Sequence, residues 1–156
     1  MLTTLLTVLW LGQITPPAPR GENLPFDVAR LSAQAQITIR ITDAGRPTEF
    51  RGVPLARLLP PRSAGATEMG WIKSLSDAVI VVRCADGYQV AYSAAAVAMD
   101  PGGTRYLLAL ARDGEPLDGS QGPIQMVVPG DTMKVRWCRQ VVSARLVRVG
   151  SMDATP

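Results

Sequence analysis

The side chains of this sequence that are best suited to binding chemistry are arginines. Arg46, Arg83, Arg136 and Arg139 could each contact a phosphate or a small oxyanion, because the guanidinium group presents a rigid fork of donors. The competing interpretation for each of them is a solvated surface position, since long charged side chains are mostly exposed. Anion binding and ordinary surface charge therefore both stand as interpretations of these residues.

Groups that could perform catalysis are few. The chain has no histidine and two cysteines, Cys84 and Cys138. Without histidine, Ser-His-Asp catalysis, Cys-His catalysis and His-ligated metals are excluded. Two cysteines cannot build a cysteine-rich zinc site but could form one disulfide, and the sequence leaves open whether they lie close enough to pair. Asp113 and Glu115 each precede a turn-forming glycine or proline, which indicates a turn rather than an acid–base pair.

The composition is that of one globular domain. The chain has 156 residues, of which 47% are hydrophobic and 19% charged. The net charge of +3 comes from arginines that are scattered along the chain, without the basic clusters and interleaved aromatic residues of nucleic-acid-binding proteins. We therefore expect a single domain that does not bind nucleic acid.

Residues 1–20 have the pattern of a secretory signal peptide. The apolar stretch 2–11 is too short to cross a bilayer, which needs about 20 residues, and it has the length of a signal h-region. No lysine or arginine precedes it, so an ordinary first helix is the alternative. We predict export to the periplasm or the cell exterior, no membrane span after signal removal, a proline-rich extended stretch over 16–25, and a linker over 21–36.

Strand patterns dominate the rest of the chain. Isoleucines at 37, 39 and 41 alternate with polar residues, the period of a half-buried strand. Ser93 is placed to cap a short helix over 94–99, and Gly52 opens another that ends at Leu59. Trp137 is expected in the core, on the same face as Val135. Further strands are predicted over 78–84, 88–92, 106–111, 124–128 and 134–149, the last one bent or broken near 143–144. The sequence thus predicts a β-rich α+β fold with mixed or antiparallel sheets.

A series of short motifs, in a fixed order, resembles one known family. The motifs are 50–55 (FRGVPL), 84–88 (CADGY), 113–117 (DGEPL), 121–123 (QGP), 127–129 (VVP) and 134–137 (KVRW). Each one alone is mostly turn chemistry, but their order is similar to that of the molybdopterin-binding domain of sulfite-oxidase type over 37–150. The resemblance implies a sandwich-like α+β domain, with 151–156 as a tail.

The resemblance also implies where a cofactor site would lie. In the family a cysteine thiolate binds molybdenum at a position that corresponds to Ile41 or Thr42, and neither residue is a suitable ligand. The segment that helps to hold the cofactor in the family corresponds to 121–125, where this chain has neutral amides in place of cationic or imidazole groups. The residues that could still contact a pterin phosphate are Arg136, Lys134, Gln121, Gln125 and Arg46.

These observations predict a binding or accessory module without catalysis, for which no cofactor is expected. Its partner would be a small anionic ligand or another protein. Two alternatives remain open. One is a molybdenum-pterin oxidoreductase with atypical ligation, and the other is a protein-interaction domain that holds no small ligand.

Overall fold

The computed structural model of the chain describes residues 21–149. Over this range the chain forms short helices and nine strands. The strands are β1 (Gly21–Asn23), β2 (Ile37–Asp43), β3 (Arg46–Pro54), β4 (Ala78–Cys84), β5 (Gln89–Ser93), β6 (Leu107–Arg112), β7 (Glu115–Pro116), β8 (Gln125–Val127) and β9 (Val141–Arg148). The α-helices are α1 (Val28–Ser32), α2 (Glu68–Lys73) and α3 (Ala94–Ala98), and two 3-10 helices cover Leu55–Leu58 and Lys134–Arg136.

The strands form two sheets. The first has the order β1-β9-β4-β5, and the second has the order β2-β3-β6-β7, with β8 also paired to β6. Every strand pair among the described residues is antiparallel. The predicted β-rich α+β class with antiparallel sheets is therefore confirmed.

The main apolar core contains side chains from both sheets. In β4 the alternate residues Ala78, Ile80 and Val82 are buried, and Val53 and Leu108 of the second sheet belong to the same cluster. The burial of β4 alternates in this way because successive side chains of a strand point to opposite faces.

A second apolar cluster lies on the other face of the second sheet. Its buried members are Phe50, Leu107, Ala109 and Val127, and the half-buried isoleucines of β2 pack against them. Trp137 covers this cluster: its ring lies 5.8 Å from the ring of Phe50 in an edge-to-face arrangement. The predicted placement of Trp137 against apolar core residues is confirmed.

The predicted linker over 21–36 is instead part of the domain. β1 pairs with β9, and α1 is capped by Asp27, whose carboxylate accepts a hydrogen bond of 2.7 Å from the amide of Arg30. Leu24 and Leu31 are buried in the main core. The segment also contains Phe26, Val28 and three alanines, and the burial of its leucines together with the pairing of β1 and β9 makes it part of the domain. The predicted signal peptide over 1–20 and the tail over 151–156 lie outside the described residues.

The predicted long strand over 134–149 is wrong in its first part. Residues Lys134–Arg136 form a 3-10 helix, Val135 is 59% exposed rather than in the core, and β9 begins only at Val141. Gln140 has a positive φ of 47°, which interrupts extended backbone just before β9. From there β9 continues to Arg148, and its register with β4 shifts between Val141 and Ser143, next to the predicted bend or break at 143–144. The helix predicted from Gly52 to Leu59 is also corrected, because β3 extends to Pro54 before the 3-10 helix begins.

The structure answers the question of cysteine pairing. Cys84 at the end of β4 and Cys138 form a disulfide, with their Cα atoms 5.9 Å apart and both side chains buried. The bridge joins residues 54 positions apart, and closing such a loop in the unfolded chain stabilises the fold by about 4 kcal/mol in the chain-entropy account. It ties the segment before β9 to the first sheet.

Gly52 allows two strands of the second sheet to approach closely. The register between β3 and β6 shifts at this residue. A Cβ atom on Gly52 would overlap the carbonyl oxygen of Leu108 and lie 2.7 Å from the Cα of Ala109. The glycine of the Gly-x-Pro-Leu motif is therefore required by backbone packing.

We predict that Gly52→Ala lowers the free energy of unfolding by about 3 kcal/mol, because β3 and β6 would have to separate to admit the methyl group. The matched control is Gly119→Ala, whose Cβ would meet no atom within 4 Å and which should change stability by less than about 0.5 kcal/mol. Urea unfolding followed by far-ultraviolet circular dichroism measures both. Equal midpoints for the two variants would contradict the requirement.

Candidate ligand-binding site

The motif that the sequence analysis places at a cofactor, 134–137, lies against the second apolar cluster. Trp137 donates a hydrogen bond of 2.9 Å from its indole nitrogen to the carbonyl oxygen of Val128, which fixes its ring. The ammonium of Lys134 lies 4.8 Å from the centroid of that ring. The motif is therefore held in place by packing and hydrogen bonds within the domain.

Asp43 is the partner of Lys134. Its side chain is 6% exposed, and it forms an ion pair with Lys134 and a second, at 3.4 Å, with Arg112. The guanidinium of Arg112 in turn lies 5.6 Å from the ring centroid of Phe50. A buried carboxylate needs such compensation, because removing a charge from water is costly unless it is paired. The charge of Lys134 is thus committed to a group of the chain itself.

Arg136 is committed in the same way. Its guanidinium forms a two-point ion pair with Asp131, with 2.9 Å between Nε and Oδ2, and the side chain of Asp131 is 10% exposed. This pairing raises the pKa of Arg136, chiefly through the hydrogen bonds to Asp131 and against the opposing effect of partial burial. The backbone carbonyl of Arg136 accepts a hydrogen bond from the hydroxyl of Tyr92.

Tyr92 is the most strongly perturbed titratable group among the described residues. Its side chain is 2% exposed and its ring packs edge-to-face on Tyr106, with 5.8 Å between the centroids. Burial raises the pKa of Tyr92, because the ionised phenolate would be desolvated, and the charge of Arg136 only partly offsets this. Tyr92 therefore anchors the 3-10 helix at 134–136 as a neutral hydrogen-bond donor.

The raised pKa of Tyr92 predicts a pH dependence of stability. Below about pH 10, the usual pKa of tyrosine, the phenol is neutral in both states and its contribution is complete. Above that pH the unfolded state ionises while the folded state does not, so the free energy of unfolding falls by up to about 1.4 kcal/mol per pH unit until the folded pKa is reached. In Tyr92→Phe this part of the loss should disappear. Urea unfolding at neutral pH and at roughly pH 11 tests it; equal alkaline losses in the two proteins would contradict it.

The two predicted glutamines lie in different settings. Gln125 is 4% exposed in β8, opposite Ala109, and its Oε1 has no hydrogen-bond partner among the described residues. Gln121 contributes its backbone, since its amide hydrogen bonds to Asp118 and its carbonyl accepts from Gln140. Gln121 therefore shapes the loop before β8, whereas Gln125 lies in the interior.

Arg46 lies at the hairpin between β2 and β3, directly opposite Asp43. The structure thus brings Arg46 and Lys134 to the same end of β2, while Arg136 pairs elsewhere, with Asp131. Ile41, where the family resemblance places a metal-binding cysteine, packs half-buried against the second apolar cluster. The five predicted residues therefore do not share one cavity wall.

A cleft of about 340 Å³ lies elsewhere on the domain. It is formed by α1, by the residue that precedes β2, by the strands β3, β6 and β7, and by the loop before β8. None of the five predicted residues lines it; its lining residues are Val28, Ser32, Gln36, Arg51, Leu110, Ala111, Pro116, Leu117 and Pro123. Sequence reasoning missed this cleft because its walls come from six separate segments of the chain. The available signal was Arg51, which belongs to the Phe-Arg-Gly-Val-Pro-Leu motif.

Two polar side chains of the cleft have unused binding capacity. Arg51 is exposed, and its guanidinium has no ion-pair or hydrogen-bond partner among the described residues. Gln36 donates from Nε2 to the carbonyl oxygen of Ser32 at 3.2 Å, and this leaves its buried Oε1 without a partner within 21–149. The cleft therefore offers a cation and an acceptor beside apolar walls.

Comparison with known proteins finds no match: no protein-family profile, curated protein or solved structure matches this chain. Within 21–149, no three acidic, histidine or cysteine side chains are grouped so that they could hold a metal ion. In the same range no helix has the length and apolar character needed to cross a membrane.

Proposed function

We propose that this chain is an exported binding or accessory module without catalytic activity, built on a scaffold of the sulfite-oxidase molybdopterin-domain type. The observation that carries the proposal is the pairing of its motif cations. Lys134 and Arg136, which the family resemblance assigns to a cofactor, are each neutralised by a carboxylate of the chain, Asp43 and Asp131.

The ion pairs oppose binding of a pterin phosphate at this motif. A phosphate that took Lys134 would have to compete with the carboxylate of Asp43, which is 6% exposed and would keep only Arg112 as a counter-charge. Leaving a buried charge poorly compensated is unfavourable. An anion that took Arg136 would likewise leave the largely buried Asp131 without this counter-charge. Both cations serve the fold at the expense of anion binding.

The position of the family's metal ligand supports the same proposal. Ile41 packs its apolar side chain against the second cluster, and Thr42 on the opposite face of β2 is exposed and lies across from Pro47. Neither side chain supplies the soft thiolate that the family uses to hold molybdenum. A reaction at that metal would therefore need another ligand set.

The proposed scaffold is supported by the close backbone contacts at the glycines of the motifs. Gly52 permits the close approach of β3 to β6, and a Cβ on Gly122 would come within 2.7 Å of the carbonyl oxygen of Leu117. These contacts explain why a chain could keep the motif order while its cofactor groups changed. Export is supported by the disulfide between Cys84 and Cys138, since disulfides persist in oxidising compartments such as the periplasm or the cell exterior.

The proposal predicts that protein purified from a molybdenum-replete host carries no more than background molybdenum and pterin. Metal analysis by mass spectrometry and fluorescence of oxidised pterin measure this directly. A matched variant, Asp43→Asn with Asp131→Asn, frees Lys134 and Arg136 and should bind inorganic pyrophosphate in calorimetry more tightly than the wild type. Stoichiometric molybdenum in the wild-type protein would overturn the proposal in favour of an enzyme with atypical ligation.

A second candidate function, a protein-interaction domain without a small ligand, is favoured by the free edge of β2. Among the described residues β2 pairs only with β3. The connecting turn has two residues with positive φ, Ala44 and Gly45, so Asp43 and Arg46 form the hydrogen-bonded pair that closes the hairpin. From this pair onward, the backbone N–H and C=O groups of every second residue of β2 bond to β3. The backbone groups of the residues between them point away from β3.

The outward-facing residues are Thr38, Arg40 and Thr42. Their amides and carbonyls offer the pattern that an added strand of a partner would use, and the half-buried isoleucines of β2 would extend an apolar face beneath it. An extended partner segment is therefore the occupant that this edge fits.

Hydrogen exchange tests whether the edge is available. We expect the amides of Thr38, Arg40 and Thr42 to exchange rapidly in the free chain, whereas those of Ile39 and Ile41 are protected by their bonds to β3. Residue-resolved exchange by NMR gives both sets in one measurement, so each set is the control for the other. Protection of all five amides would mean that the edge is already covered, and this second function would be withdrawn.

A further inference from the structure

The cleft beside α1 has the composition of a ligand site rather than of a simple packing gap. Its walls are mainly apolar, with Leu110 and Ala111 of β6 on one side and Leu117 and Pro123 on another. Its volume of about 340 Å³ falls at the lower end of the range for small-molecule sites. The few polar groups among these walls therefore determine which ligand the cleft could accept.

Arg51 provides the charge. It lies in β3 opposite Ala111, and both residues line the cleft. No carboxylate of the described residues lies within 4 Å of Arg51, and Arg51 is the one arginine among the residues that line the cleft. An unpaired guanidinium beside apolar walls is complementary to a carboxylate or sulfonate.

Gln36 provides the second polar contact. Its Nε2 is already used by the carbonyl oxygen of Ser32, so only Oε1 remains, and that atom is buried without a partner among the described residues. A buried acceptor without a donor is unfavourable by about 1–3 kcal/mol. A ligand that carries an N–H or O–H group would remove this cost once rotation of the Gln36 side chain brings Oε1 to the surface of the cleft.

We propose that the cleft binds a small amphipathic organic anion. Its carboxylate or sulfonate pairs with Arg51, an N–H or O–H group donates to Oε1 of Gln36, and its apolar body packs on Leu110 and Leu117. The net charge of +3 favours approach of such an anion. This names the ligand class of the binding module and so rests on the proposed function.

The test uses 8-anilinonaphthalene-1-sulfonate, a probe that carries a sulfonate, an N–H group and an apolar body. We expect saturable, one-to-one binding to the folded wild-type chain, seen as a rise in probe fluorescence. Arg51→Gln should weaken binding about tenfold, the loss expected for one charge-assisted contact. Gln36→Leu should weaken it about threefold, because the donor of the probe loses its acceptor. Octanoate, an apolar carboxylate, should displace the probe.

The matched control is Arg57→Gln, because Arg57 is also an exposed arginine and does not line the cleft. Its affinity for the probe should equal that of the wild type, and urea midpoints verify that every variant is folded. Absence of saturable binding, or an equal loss in Arg57→Gln and Arg51→Gln, would overturn the proposed site. The result is separable from the molybdenum assay: a metal-loaded chain that binds the probe refutes the proposed function alone, and a metal-free chain that does not bind it refutes this site alone.

Discussion

The carboxylate of Asp43 lies buried between cations that come from distant parts of the chain. Lys134 reaches it from a position 91 residues away, and Arg112 reaches it from the end of β6. Because a buried charge must be compensated, this contact holds the segment 134–137 against the second sheet and brings Trp137 over the second apolar cluster. A ligand would have to compete with Asp43 for Lys134, so a single requirement of folding also shapes what the domain can bind.

The motif residues mainly serve to hold backbone segments of the domain in place. Gly52 is needed where β3 and β6 approach closely, Arg136 and Asp131 pair, and the carbonyl of Arg136 receives the hydroxyl of the buried Tyr92. Contacts of this kind constrain residue identity as strongly as a cofactor would. A resemblance carried by such residues is therefore evidence about architecture first, and its functional content has to be sought at side chains that the architecture leaves unpaired.

Arg51 is such a side chain, and it stands next to Gly52 in the same motif. Gly52 lets the backbone of β3 approach β6 closely, whereas the side chain of Arg51 lines the cleft beside α1. Gln36 also lines the cleft, and its Oε1 has no hydrogen-bond partner among the described residues. The polar side chains that remain free to bind a ligand therefore lie in the cleft. The motif cations that carry the family resemblance lie on another part of the surface and are already paired.

The sequence by itself determined the elements whose signals are local. Period-two alternation located β2, a continuous run of β-branched residues located β4, and the hydroxyl of Ser93, which accepts from the amide of Ala96 at 3.3 Å, caps α3 as predicted. Only the tertiary structure decided the conformation of 134–140, because a disulfide, ion pairs and a tyrosine hydroxyl from other segments act on it. It also decided the cleft, whose walls meet only after α1 has packed beside the second sheet. Long-range contacts of this kind leave no period in the sequence, so local patterns could not predict them.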